Sequence, residues 1–225
     1  MKHYEYEIDA NLKCVVYDAL RKKRDLLRLL IYTVKSIIEQ ELGKKEGISS
    51  KIEEDNKIVI HVSKMNRLFY CLKNKIFSFQ MPFTINVSET DSITLSFNGR
   101  LVIDSYISSL LITVFEEEEL FSGSIADIYD RIADIIHNNY EDSTFDEEVF
   151  WELISHLMLY EPGYIRYDDD IDVDRTDPIK HPRYHLDINY ESTATYKIGL
   201  SSSINCDRLR ILMDITEKCV YICDV

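Results

Sequence analysis

Apolar residues return every three or four positions between Ala10 and Leu42, at Leu12, Val16, Leu20, Leu27, Leu30, Ile31, Val34, Ile37, Ile38 and Leu42, with no proline among them. That spacing predicts an amphipathic helix, or two in succession, closed by Gly43 and the polar turn "GKKEG". Read as one helix it has about twice the typical length, which favours a packing arm or an oligomer contact. The period then changes to two. "KIVIHV" (57–62), "IFSFQ" (76–80), "FTINV" (83–87) and "SITLSF" (92–97) predict strands of an antiparallel meander. From Leu101 to Leu120 β-branched residues share a helical spacing, and a helix is expected after Asp104.

Two better-punctuated helices follow. Ser124 caps a run whose core face is Ile125, Ile128, Ile132, Ile135 and Ile136. Thr144 and Glu147 have capping-box spacing ahead of Val149, Phe150, Leu153, Ile154 and Leu157, and Pro162 and Gly163 end that helix. Alternation returns in "YIRYD" (164–168), "RYHLDINY" (183–190) and "ATYKIGL" (194–200), then a short helix near Asp207 to Asp214 and a last strand, "CVYIC" (219–223). The fold class is α+β: a long N-terminal helix, an antiparallel sheet, a helical middle and a small C-terminal antiparallel sheet. The expected division is 1–122 and 123–225, with a single domain as the alternative.

Composition narrows the functional classes. At 45% hydrophobic and 29% charged residues, the chain reads as an ordinary globular protein. Forty acidic residues against 26 basic leave a net charge of −14, so polyanions are repelled overall and nucleic acid is expected only at local basic residues. "RKKRDLLR" (21–28) is such a stretch, although pairing with the acidic run "EEEE" (116–119) is the simpler use for it. Five cysteines without a CxxC pair, and an N-terminus without an apolar signal core, imply a reducing cytoplasm and structural thiols. "YISSLLITVF" (106–115) is well short of the roughly 20 residues that span a bilayer, so no membrane association is expected.

Most familiar chemical motifs are missing, and neither cofactor nor metal is expected. "DDDIDVDRTD" spaces Asp170, Asp172 and Asp174 like a calcium loop, yet Arg175 stands where that loop needs glycine and His181 where it needs glutamate. Arg131 and His137 in "RIADIIH" fall about 120° apart around a helix, which suits an exposed surface better than a ribonuclease pair.

One constellation remains. If Tyr184, Leu186, Ile188 and Tyr190 turn inward against Tyr196, Ile198 and Leu200, a solvent-facing surface collects His185, Asp187 and Lys197. Pairing "YIRYD" alongside adds Arg166 and Asp168, and His181 stands at the strand entrance. A histidine near carboxylates, with lysine or arginine to hold a phosphate, is suited to phosphodiester cleavage. Asp168 and Asp187 beside Lys197 also suggest metal ligands, without the usual Glu/Asp-x-Lys spacing. A row of charged residues shown to water is the plainest explanation.

"IRYD", "HPRYHLD" and "YKIGL" together resemble a C-terminal pattern of several uncharacterised bacterial families and, more faintly, the TumE-like toxins of toxin–antitoxin pairs. The resemblance implies that Arg166, Asp168, His181 and His185 matter, in a bacterial defence or toxin setting. The expected function is a cytoplasmic bacterial subunit of a larger antiphage or toxin–antitoxin assembly, binding a protein partner or its own copy through the N-terminal helix. The alternative is a nuclease toxin cleaving RNA at the Arg166, Asp168, His181, His185, Asp187 and Lys197 face. Whether the chain is an enzyme is left open.

Overall fold

A computed structural model describes residues 2–48, 51–117, 124–139 and 146–220. In chain order the elements are β1 (Lys2–Glu7), α1 (Ala10–Val16), α2 (Lys23–Lys45), β2 (Asn56–Val62), β3 (Arg67–Leu72), β4 (Lys75–Gln80), β5 (Thr84–Val87), β6 (Ile93–Phe97), β7 (Leu101–Ile103), α3 (Ser105–Glu116), α4 (Ile125–Asn139), α5 (Glu147–Leu159), β8 (Ile165–Asp169), β9 (Tyr184–Ile188), β10 (Tyr196–Gly199) and α6 (Cys206–Met213). The fold is α+β with two antiparallel sheets. Two compact units interleave along the chain: 1–8, 50–82 and 161–225 form one, 9–49 and 83–160 the other. The boundary expected near Ser122 lies outside the described residues, as does most of the expected strand 219–223.

In the second unit the long apolar stripe is divided between α1 and α2. Asp9 caps α1 by accepting from the Leu12 amide at 2.8 Å. Asp25, in the first turn of α2, accepts from the amides of Arg21 and Lys22 at 2.9 and 3.0 Å, so the helix begins there. Gly43 does not end it. The left-handed position belongs to Gly47 (φ 80°), and the Ile48 amide reaches back to the Gly43 carbonyl at 2.9 Å. Leu26, Leu27, Leu29, Leu30, Ile31, Val34 and Ile37 are buried, and α2 packs on α1 and α3. Most of the stripe that suggested an oligomer contact is thus covered by its own chain, while Leu42 at its end stays 48% exposed. Arg28 meets Glu116, first of the acidic run, at 2.6 Å.

The contest between strand and helix after Leu101 resolves at Asp104. β7 precedes it, and its carboxylate caps α3 through the Ile107 amide at 2.8 Å. Ser124 and Asp127 exchange hydrogen bonds at the start of α4. Asp146 caps α5 through the Glu148 and Val149 amides; Thr144 lies outside the described residues.

The expected meander is shared between sheets. β5, β6 and β7 make the small one in the second unit, whereas β2, β3 and β4 belong to a seven-stranded sheet ordered β1-β2-β3-β4-β8-β9-β10 in the first unit. β3, "RLFYCL", is buried at every position and so lacks the alternation that marks a half-exposed strand. On one face of this sheet α6 packs with Leu209 into a cluster of Val59, Phe69, Cys71, Ile76, Ile165, Tyr167 and Leu186. Cys71 and Cys206 are disulfide-bonded and tie α6 to β3, a pairing that the sequence reading did not anticipate. Cys14 and Cys219 are free and exposed.

Candidate functional site: a buried ionic cluster

The opposite face of the sheet carries the site, and the strand register places each member. One cross-strand row runs through all seven strands: Tyr6, Ile58, Tyr70, Phe77, Arg166, Asp187 and Lys197. The neighbouring row reads Asn56, Leu72, Lys75, Asp168, His185 and Gly199. The first row changes from apolar to charged on crossing the sheet, and the second is charged or titratable from Lys75 to His185. Arg67 helps to set the entry into β8: its buried guanidinium donates to Ser78 Oγ at 3.0 Å and to the Gly163 carbonyl at 2.6 Å. Gly163 turns there with φ 54°, and burial pushes the Arg67 guanidinium down to about 10.

The six residues singled out in the sequence converge. Arg166 donates to Asp168 Oδ2 at 2.7 Å and also to Asp187. Lys197 Nζ donates to Asp187 Oδ1 at 2.6 Å and lies 3.0 Å from His185 Nε2. His185 Nε2 is 3.5 Å from Asp168 and 3.8 Å from Asp187. His181 packs edge-on to His185 with ring centroids 4.6 Å apart and is 3.7 Å from Asp170.

Exposure is where the structure corrects the sequence reading. His185 and Asp187 retain only 1% and 3% of their surface, so the centre of the face is closed to solvent while Arg166, Asp168 and Lys197 around it stay partly exposed. Residues 170–183 fold back beside it, held by the paired backbone bonds between Asp177 and His181 and by Arg183 on Asp169 at 2.7 Å. Gly199 permits the close approach, since a Cβ there would stand 3.0 Å from Pro182 Cγ. Pro182 in turn presents its carbonyl 2.8 Å from His185 Nδ1. A carbonyl only accepts, so Nδ1 carries the proton and Nε2 is the lone-pair nitrogen facing Lys197. Asp170 was noted in the sequence only for its calcium-like spacing, and Pro182 and Gly199 were not singled out as site residues; the hint for those two was proline and glycine flanking the hairpin.

Electrostatics follow from this crowding. Burial opposes the Arg166 charge, but Asp168, Tyr164 and Asp187 outweigh it and hold the guanidinium above its ordinary value. Lys75, opposite Asp168, is pushed down by burial and by Arg166. His181 is pushed down by burial, Lys197 and His185, with Asp170 and Asp187 opposing.

No protein-family model matches the chain, and comparison with curated proteins and with solved structures finds no match. Among the described residues no helix is long and apolar enough to cross a membrane. The calcium-like segment lies between strands β8 and β9 rather than between helices, and its aspartates accept from the loop's own amides: Asp170 from Asp172, Asp172 from Asp174, and Asp177 from Ile179 and Lys180.

Proposed function

We propose that the protein is a binding subunit that docks on a basic, apolar-grooved protein partner through residues 170–180. The observation that carries this reading is the exposure of Ile171, Val173 and Ile179, at 61%, 83% and 90%, on a loop whose backbone is tied down by its own aspartates. Exposed apolar side chains grouped in this way mark interaction surfaces, and a loop already held in one shape loses little entropy on binding. Asp170, Asp172, Asp174 and Asp177 outnumber Arg175 and Lys180 there, and the whole chain carries −14, which favours a positively charged partner. This reading puts the partner contact on the loop rather than on the N-terminal helix, most of whose apolar stripe packs within its own chain.

The test is a photo-crosslinking residue placed at Val173 in the full chain expressed in its own cells. One basic protein should be captured, and capture should be lost in Ile179→Asp and weakened in Asp172→Asn. Capture that is indifferent to both changes would refute the reading.

A second reading, RNA cleavage, is favoured by the convergence of His181, His185, Lys197 and Arg166. Here partly exposed His181 is the group able to meet substrate, and buried His185 positions it. Cleavage of RNA lost in His181→Ala but retained in Ile179→Asp would support this reading over docking.

A further inference from the structure

We propose that Asp168, His185 and Asp187 form a binding site for a first-row transition-metal dication, and that the Lys197 ammonium is its built-in competitor. The proposal is independent of the docking reading. One ligand atom from each of the three residues lies within 4.8 Å of the others. The gaps of 3.5 and 3.8 Å from His185 Nε2 to the carboxylates match the spacing of about 3–4 Å that follows from metal bonds of about 2.0–2.2 Å. The sequence already suggested Asp168 and Asp187 as ligands beside Lys197; strand register adds His185 as the third donor.

The surroundings of the three donors point the same way. A metal-binding histidine typically donates its other ring N–H to a carbonyl or carboxylate, which fixes the tautomer and aims the lone pair at the ion. His185 does this through Nδ1 and the Pro182 carbonyl at 2.8 Å. Ligating carboxylates are usually held by hydrogen bonds of their own. Arg166 supplies one to Asp168 and one to Asp187. A cation already occupies the opening: Lys197 Nζ lies 2.6 Å from Asp187 Oδ1 and 3.0 Å from His185 Nε2. Lys197 is partly exposed on the edge strand β10, so its side chain can leave for solvent without disturbing the ladder. A donor set of one imidazole and two carboxylates suits zinc, manganese, iron or cobalt better than calcium or magnesium, which prefer oxygen alone. The positive groups around the donors are Arg166, the departing Lys197 and Lys75 opposite Asp168, and the partly exposed His181 stands at the rim.

The experiment titrates the full chain, stripped by a chelator, with cobalt(II) followed by visible absorption and with zinc followed by calorimetry. One ion per chain is expected, with a spectrum of nitrogen and oxygen ligation. Lys197→Met should bind about tenfold tighter, the equivalent of about 1.4 kcal/mol, because the tethered competitor is gone. Asp168→Asn should bind at least about 100-fold more weakly. His185→Gln should behave like Asp168→Asn; if it does not fold, Asp168→Asn at the partly exposed rim decides the matter. Binding unchanged in Asp168→Asn, no gain in Lys197→Met, or a thiolate charge-transfer band placing the ion on cysteine would each overturn the proposal.

Discussion

Two halves of one cross-strand row are held in the same sheet by different physics, the first wholly buried and the second buried at Asp187, with Arg166 and Lys197 partly exposed. On β1 to β4 the row is Tyr6, Ile58, Tyr70 and Phe77, with the Tyr70 and Phe77 rings stacked 4.5 Å apart. On β8 to β10 it is Arg166, Asp187 and Lys197. The apolar half gains roughly 25 cal/mol for each Å² removed from water, whatever its precise partners. The ionic half must recover the cost of desolvating charges through particular contacts, and so depends on register. Burial in the first half is therefore a stability feature. In the second it is a constraint that makes a site specific.

The largest expected effects test that distinction. Phe77→Ala should cost about 3–5 kcal/mol, as for a large aromatic removed from a core. Asp187→Leu should cost a similar amount, about 3–5 kcal/mol as for a broken buried ion pair, because Lys197 and one arm of Arg166 lose their acceptor. The halves should then part company. Adding Lys197→Met to Asp187→Leu removes the stranded charge while leaving the Arg166–Asp168 pair, and should recover part of the loss. No second substitution added to Phe77→Ala has an equivalent charge to remove. Chemical denaturation of the parent and these three variants measures this; a double variant no more stable than Asp187→Leu would break the comparison.

The difference also explains what was legible in the sequence. Alternation in "RYHLDINY" placed His185, Asp187 and Lys197 on one face, and the register agrees. The same alternation led to the wrong environment, because polar residues on every second position look like a solvated face. Nothing local shows that residues 170–183 return beside that face, or that Gly199 makes room for Pro182. β3 was missed for the converse reason, since a strand buried on both faces has no period of two. The α2 start escaped because the apolar spacing continues through Leu20, which is itself buried outside either helix. Helix caps were more readable: Asp104 and Ser124 act where their short polar side chains precede apolar runs.

A smaller effect concerns the face that α6 covers. The Cys71–Cys206 bond closes a long loop, so Cys206→Ser should cost about 2–4 kcal/mol in the oxidised protein. The ionic cluster lies on the other face and keeps its register without the bond. Loss of cobalt binding in Cys206→Ser under conditions where the protein remains folded would show that the two faces are coupled.

Gly199→Ala probes the ionic half more gently. The new methyl meets Pro182 Cγ at 3.0 Å on the exposed edge strand, so the cost should stay at or below the low end of the roughly 1–3 kcal/mol seen for overpacked cores. Pro182 must shift, and its bond to His185 Nδ1 must lengthen. The His185 imidazole resonances should therefore move in Gly199→Ala, while the aromatic resonances of Tyr70 and Phe77 stay in place. Movement of both sets would mean that the row behaves as one packed unit.

The smallest effect is a pH dependence that contrasts buried His61 on one face of the sheet with partly exposed His181 on the other. His61 lies on the α6 face, 3.2 Å from Asp214, and neither ring nitrogen has a hydrogen-bond partner of good geometry. Burial pushes its pKa below the ordinary 6.5, with Asp214 opposing and Arg210 reinforcing. On acidification through about 6.5 the unfolded chain takes up a proton that the folded chain does not, so stability must fall as pH falls. Asp214 adds to the trend at lower pH: hydrogen bonds from Thr216 hold its carboxyl below the ordinary 3.8, so its contribution, present above that value, is lost as the folded carboxylate protonates. His181, also pushed down, contributes with the same sign as His61 from the other face. Melting temperatures measured from pH 8 to pH 5 should decline, and the decline should be shallower in His61→Leu than in the parent. His181→Ala should remove less of the slope, because that ring is partly exposed and exchanges its proton with water in both states. An unchanged slope in His61→Leu would mean that protons reach the α6 face without opening it.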